Sequence, residues 1–209
     1  LRLSRGLGDV YKRQGLVSGD DFSGSYTGTF NNANAGAGKT VTISSSYSGD
    51  DVSNYSVTSQ SSTTASIVKK SLTATATASN KTYNGDATAT TTLSFSGLVG
   101  SETLGQSVSS TFNNKNVGTG KTVTVNSITL SDGSNGGVAS NYSISTGQTT
   151  TANITAKALT VSGITASNKT YDGNTVVTLD LTGTSYTGLV LGDDVSISAS
   201  GSFDNKNVG

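Results

Sequence analysis

The chain of 209 residues contains no cysteine, histidine, proline, methionine or tryptophan. Without His or Cys there is no Ser-His-Asp or Cys-His nucleophile, no zinc site of the usual ligands and no disulfide framework. Most familiar enzyme chemistry is thereby excluded. Large apolar residues are also scarce: Leu, Ile, Val and Phe make up 44 of the 209, close to the floor of roughly 20% below which charged chains stay disordered. Zero net charge means that self-repulsion adds nothing toward disorder. What the chain has instead is Ser (35), Thr (34) and Gly (26).

Arginine is absent after position 13, and the zero charge hides a seam. Arg2, Arg5, Lys12 and Arg13 crowd the first 14 positions, leaving 9 Lys against 12 Asp and Glu in the remainder. That remainder is mildly acidic, with no basic patch for nucleic acid and no segment that reads as membrane-inserting. The run Asp9-Val10-Tyr11-Lys12-Arg13-Gln14 resembles a translated sequencing adapter. Residues 1–14 are therefore read as a non-native tail and set aside from fold reasoning. The alternative is a native basic tail. No apolar stretch follows the arginines, so the segment is not a signal peptide, and the natural N-terminus is expected upstream.

Internal repeats organise everything else. TFNNANAGAGKTVTI (29–43) returns as TFNNKNVGTGKTVTV (111–125) and as SFDNKNVG (202–209); LTATATASNKTYNG (72–85) returns as LTVSGITASNKTYDG (159–173); SNYSV (53–57) returns as SNYSI (140–144). Three repeats result: residues 15–70 hold the C-terminal part of the first, 71–157 the complete second, and 158–209 the N-terminal part of the third. The spacing Phe30 to Phe112 is 82 but Tyr55 to Tyr142 is 87, so five residues enter between Val125 and Asn141, which marks a loop tip. Three more enter between Gly173 and Gly188, and one between Leu159 and Asn168, as a bulge requires.

The unshifted segments alternate with a period of two, the pattern of half-buried strands. Leu72, Ala74, Ala76 and Ala78 face one way and Thr73, Thr75 and Thr77 the other. Val123 and Val125 share one parity and Ile128 and Leu130 the opposite one, predicting a bulge or a break at Asn126-Ser127. β-Branched Thr and Val favour extended chain, and no window has helical spacing. Each unit should hold six or seven strands. The expected class is all-β: small immunoglobulin-like β-sandwich modules of about 87 residues in tandem, forming a rod, with β-grasp-like sheet modules as the alternative.

Three motifs invite chemistry. Gly-Lys-Thr occurs at 38–40 and 120–122, but a phosphate loop needs a glycine five positions earlier, where Ala33 and Lys115 stand, and a helix afterwards, where a strand follows. A Gly-rich turn at Gly118-Thr119-Gly120, reversing the chain, is the expected structure. Paired carboxylates at Asp20-Asp21, Asp50-Asp51 and Asp193-Asp194 suit calcium chemically, yet match no EF-hand spacing. The second copy has Ser101-Glu102 instead, so they are read as solvated turn carboxylates. No metal, cofactor or catalytic residue is assigned. The most specific signal is Tyr83-Asn84-Gly85, matched by Tyr171-Asp172-Gly173. Asn-Gly and Asp-Gly suit a tight type I′ turn, with each tyrosine ring on the core and its hydroxyl near solvent or backbone.

SNKTYDG, GLVLGDDVS and SFDNKNVG, with TGKTVTV and SNYSI from the second copy, resemble the YDG-type repeat of large bacterial surface adhesins. In the second copy Asn84 replaces the Asp of the signature. The resemblance implies a secreted, filamentous-haemagglutinin-like protein at the cell surface or outside the cell. Its modules would build a non-catalytic stalk supporting cell adhesion, their partners being neighbouring repeats of the same chain. The alternative is that the modules themselves bind host glycan or extracellular-matrix protein through variable loops such as 130–141.

Overall fold

The computed structural model describes residues 15–209, so the basic segment 1–14 lies outside the described residues. In chain order the strands are β1 (Ser23–Phe30), β2 (Gly36–Ser48), β3 (Ser62–Ile67), β4 (Lys70–Ser71), β5 (Thr73–Ala78), β6 (Lys81–Thr82), β7 (Thr88–Ala89), β8 (Thr91–Ser96), β9 (Leu104–Phe112), β10 (Gly118–Asp132), β11 (Tyr142–Ser143), β12 (Thr149–Thr155), β13 (Thr160–Ser162), β14 (Thr165–Ala166), β15 (Val176–Val177), β16 (Leu179–Asp180), β17 (Ser185–Thr187) and β18 (Gly201–Ser202). The helical elements among the described residues are two single 3-10 turns, Val52–Asn54 and Ala139–Asn141. The protein is all-β, as the period-two alternation requires, and its repeats follow one another in tandem.

Contacts divide the chain into two units, and the second repeat contributes to both. One unit takes the residues up to Leu72, Gly97–Leu104 and Ser131–Ile144. It holds the antiparallel sheet β1-β2-β3, with register from Ser23 opposite Ser48 to Phe30 opposite Val41, and the parallel pair β4–β11. Phe22 packs on Tyr47 and Tyr55, with ring centroids 5.6 Å apart in both cases. The loop after β10 is seated against Thr103. A Cβ at Gly133 or Gly137 would lie 2.1 or 1.9 Å from the Thr103 carbonyl oxygen, a gap only glycine allows.

The other unit takes Thr73–Ser96, Gly105–Leu130 and Ser145–Gly209. Its main sheet runs β6-β12-β10-β9-β7. β12 pairs antiparallel with β10 and parallel with β6. The β5–β8 pair, antiparallel from Thr73 opposite Ser96 to Ala78 opposite Thr91, supplies the second layer: its Ala76 and Leu93 pack with Val125 of β10. A second cluster joins Phe112, Val123, Ala152 and Ile154, with Ala78, Tyr83, Ala87 and Ala89 around it. Both layers follow from alternation, because Val123 and Val125 point inward while Asn126 stays exposed. The third repeat contributes the short pairs β13–β17, β14–β16 and β15–β18.

Several local expectations change. From Lys70 to Thr155 there are nine strands rather than six or seven, because β4, β6, β7 and β11 are two-residue pairings, too short for alternation to register. The chain does not break at Asn126-Ser127: β10 is one strand across the parity change. Gly118-Thr119-Gly120 is not a chain-reversing turn but part of β10. Gly120 has φ +58°, and the register with β12 slips between Gly118 and Lys121, which is a bulge. The same slip separates Gly36 and Lys39 in β2. The reversal lies earlier, at Asn113–Val117, where Asn116 N–H donates to Asn114 Oδ1 (3.0 Å). The extra residue of the third repeat is not taken up as a bulge within one strand: β13 and β14 are separate strands, pairing with β17 and β16 and parted at Gly163, whose φ is +84°.

Candidate functional site

The Tyr-Asn-Gly and Tyr-Asp-Gly segments are turns, but not type I′ hairpins. Gly85 and Gly173 have φ of +87° and +81°, whereas Asn84 and Asp172 are not at positive φ. The strands flanking the second-repeat turn, β6 and β7, lie on opposite edges of the five-stranded sheet rather than paired. The turn is built by side chains instead. Asn84 Oδ1 accepts the Asp86 N–H (3.3 Å) and its Nδ2 donates to Asp86 Oδ2 (2.6 Å), an Asx-type closure.

Lys81 fills the turn. Its ammonium donates to the Asp86 carbonyl (3.1 Å), to Asp86 Oδ1 (2.8 Å) and to the Thr88 carbonyl (3.1 Å), one acceptor for each proton. Asp86 Oδ1 also receives the Thr88 N–H at 2.8 Å. The lysine, and then the Thr88 donors, hold the Asp86 carboxyl well below the usual carboxylate range. In the third repeat Lys169 donates to the Asn174 carbonyl (3.1 Å), Asn174 Oδ1 (2.8 Å) and the Val176 carbonyl (3.0 Å), and pairs with Asp172 Oδ1 at 2.7 Å. Here Asn174 Nδ2 donates to Asp172 Oδ2 at 2.9 Å, and Lys169 lowers the Asp172 pKa. The two turns therefore carry the same amide–carboxylate pair with its members exchanged: Asn84 and Asp86 in one, Asp172 and Asn174 in the other.

The predicted residues are thus placed as follows. Tyr83 rests its ring against the Phe112–Ile154 cluster and donates its hydroxyl to Asp193 Oδ1 at 2.9 Å, a carboxylate rather than solvent or backbone. Tyr171 is 59% exposed. Asn84, Gly85, Asp172 and Gly173 form the turns. Lys81, Asp86, Lys169 and Asn174 were not singled out by sequence reasoning. Their signal was present in the exchange of Asn and Asp between copies, two positions apart.

A second recurrent constellation was also missed. Aligning the repeats on Gly-Leu-Val puts Asp20, Glu102 and Asp193 at one position, so Glu102 is the equivalent of the Asp and not a departure. In each copy this residue closes a turn onto a valine carbonyl: Asp20 to Val17 (3.2 Å), Glu102 to Val99 (3.1 Å) and Asp193 to Val190 (3.0 Å). In the first repeat Tyr55 Oη accepts the Val17 N–H (2.8 Å) and donates to Asp20. In the second, Tyr142 Oη accepts the Val99 N–H (3.1 Å) and donates to Glu102. Each tyrosine pins the valine turn, and each carboxylate, by accepting that proton, raises the phenol pKa. Asp21 and Asp51 serve the same loop: Asp51 Oδ2 accepts the Asp21 N–H at 2.8 Å.

Most of these carboxylates, amides and ammonium ions are matched donor to acceptor within the turns they shape, while Tyr83 and Lys115 reach Asp193 in the third repeat. Among the described residues no group of three or more acidic side chains is placed to hold a metal ion. The Gly-Lys-Thr lysines are likewise local: Lys121 Nζ donates to Asn114 Oδ1 (2.7 Å) and Lys39 to Asn32. No helix among the described residues is long and apolar enough to cross a membrane.

No curated protein and no solved structure shows significant similarity to the chain. The model of the YDG domain family does match it, three times in succession, over residues 6–65, 68–152 and 155–209. The first match begins inside the segment set aside as a tail. With nearly the whole length covered by copies of one domain, the chain belongs to the YDG domain family.

Proposed function

We propose that this chain is a non-catalytic spacer from the stalk of a secreted bacterial surface adhesin, holding a distal adhesive region away from the cell. The observation that carries this reading is that the three copies repeat their framework while their length changes fall in loops and at a strand end. The valine–carboxylate turn recurs in all three and the lysine-filled turn in both copies that contain it. Side chains that recur do so to shape the chain, which is what a length-giving module requires. Its partners are its neighbouring repeats, and its location is outside the cell. The absence of cysteine fits a stalk held by hydrogen bonds and small cores.

The competing reading, that variable loops bind host glycan or matrix protein, draws on the segment between Val125 and Asn141, five residues longer in the second repeat than its counterpart in the first, two of them extending β10 beyond the length of β2. In the intact adhesin, deleting residues 71–157 should reduce adhesion, and inserting an unrelated β module of similar length should restore it. The purified chain should show no saturable binding on glycan and matrix arrays. Saturable binding that disappears when 131–138 is shortened would overturn the spacer reading.

A further inference from the structure

The Tyr-Asn-Gly signature does more than turn the chain. Three features of the second repeat converge on one short segment of the third, Val190 to Asp193. Tyr83 Oη donates to Asp193 Oδ1 at 2.9 Å, in a part-buried setting. Lys115 Nζ stands 3.8 Å from the same oxygen. Gly85 lies so close that a Cβ there would meet Val190 Cγ1 at 2.8 Å. We propose that the signature turn is the docking surface between consecutive repeats, and that its partner is the Gly-Leu-Val-x-x-(Asp/Glu) turn of the next repeat.

The chemistry accounts for each residue type. The tyrosine supplies a rigid ring that its own repeat packs from one side, with a polar tip that reaches a neighbour's carboxylate. The glycine is required twice, by its positive φ and by the approach of Val190. The carboxylate sits at the position of Asp20 and Glu102, each of which receives a tyrosine hydroxyl within its own repeat, so a tyrosine partner suits this position. Lys115 adds charge complementarity at a distance beyond a strong hydrogen bond, which makes its contribution screenable by salt. Tyr171 is the internal control. Its turn is built by the same lysine and amide–carboxylate pair, but without a neighbouring turn among the described residues it stands 59% exposed.

A separate contact joins the first and second repeats. There Asn141 Oδ1 accepts the Ala35 N–H (2.8 Å) and Asn141 Nδ2 donates to Asn34 Oδ1 (3.1 Å), a neutral lock. The first-repeat counterpart of Lys115 is Ala33, which has no charge to offer Glu102. Joints along one chain can therefore differ in salt sensitivity while sharing a framework. The docking would hold equally if the loops bound a ligand, so it stands apart from the spacer reading.

The absence of cysteine makes the test direct. Nitroxide labels on Ser107→Cys and Ser198→Cys, both exposed and on the second and third repeats, report the distance distribution across the joint in the full chain. The unaltered joint should give one narrow distribution. Tyr83→Phe, which keeps the ring, and Asp193→Asn, which keeps the shape, should each at least double its width. Lys115→Ala should widen it less, and addition of salt should mimic Lys115→Ala. Tyr171→Phe should leave it unchanged. Amide exchange across 81–88 that matches the unaltered chain would show that the turn itself is intact in Tyr83→Phe. A distribution equally broad before substitution, or unchanged by both Tyr83→Phe and Asp193→Asn, would overturn the docking role.

Discussion

The signature turns of the second and third repeats hold the same three chemical groups in different places. In the second, the carboxylate is Asp86 and the amide Asn84; in the third, the carboxylate is Asp172 and the amide Asn174. The lysine keeps its three oxygen acceptors in both. What the turn needs is one negative group to match one ammonium, and one amide to hydrogen-bond the carboxylate, not a fixed residue at either position. The turns differ in what lies behind them. Lys81 is paired with Ile154 of β12, and Tyr83 N–H donates to the Thr155 carbonyl (2.8 Å), so the second turn is tied to a five-stranded sheet. The third is adjoined by β15–β18, which pairs two residues on each strand.

The largest effect should come from removing what distinguishes the second turn. Ile154 is 1% exposed, and Ile154→Ala should cost about 2–5 kcal/mol through lost burial and a cavity, measured by denaturant unfolding. Amide exchange should rise across 81–88 and stay unchanged across 169–176. Equal loosening of both turns would erase the distinction.

Next in size is the exchange itself. Asn84→Asp sets two carboxylates 2.6 Å apart where a hydrogen bond now stands, and should lower the melting temperature. Adding Asp86→Asn recreates the third-repeat arrangement and should recover most of the loss. A double variant no better than Asn84→Asp would show that the positions are not interchangeable.

Smaller effects follow from titration. Asp86 and Asp172 have pKa values depressed below the ordinary 3.8. Their contribution is therefore present above that value and lost as pH falls through the folded-state pKa. Because these turns are exposed, screening keeps the effect modest. Amide exchange in both turns should quicken on acidification, and Lys81→Gln should flatten the response in the second turn alone.

The smallest change lies at the other extreme of pH. Tyr55 and Tyr142 have phenol pKa values raised above 10.0, so their latches persist below pH 10 and fail as pH climbs through the raised values. Absorbance at 295 nm should show a late-titrating component that shrinks in Tyr55→Phe and again in Tyr142→Phe. A titration without such a component would remove the latch from solution.

Much of this was legible in the sequence. Alternation located β5 and β10, and the residue shifts between copies located the lengthened segment between Val125 and Asn141 and the irregularity between Leu159 and Asn168. The signature residues were found but their geometry was not, because Asn-Gly suits several turns. The choice among them was made by Lys81 and Asp86, which hold the turn open between strands that never pair. The carboxylate position was obscured by reading Ser101-Glu102 against Gly-Asp-Asp instead of aligning on the valine three residues earlier.

The sequence by itself determined the strand class, the tandem organisation and the exclusion of His and Cys chemistry, since each depends on composition or on spacing along the chain. Only the tertiary structure decided which edges β6 and β7 occupy, that β12 meets β6 in parallel, and that Tyr83 finds Asp193, 110 residues away. A period-two pattern specifies which face of a strand is buried but not which strand lies beside it, and a hydroxyl's partner is fixed by where the chain returns.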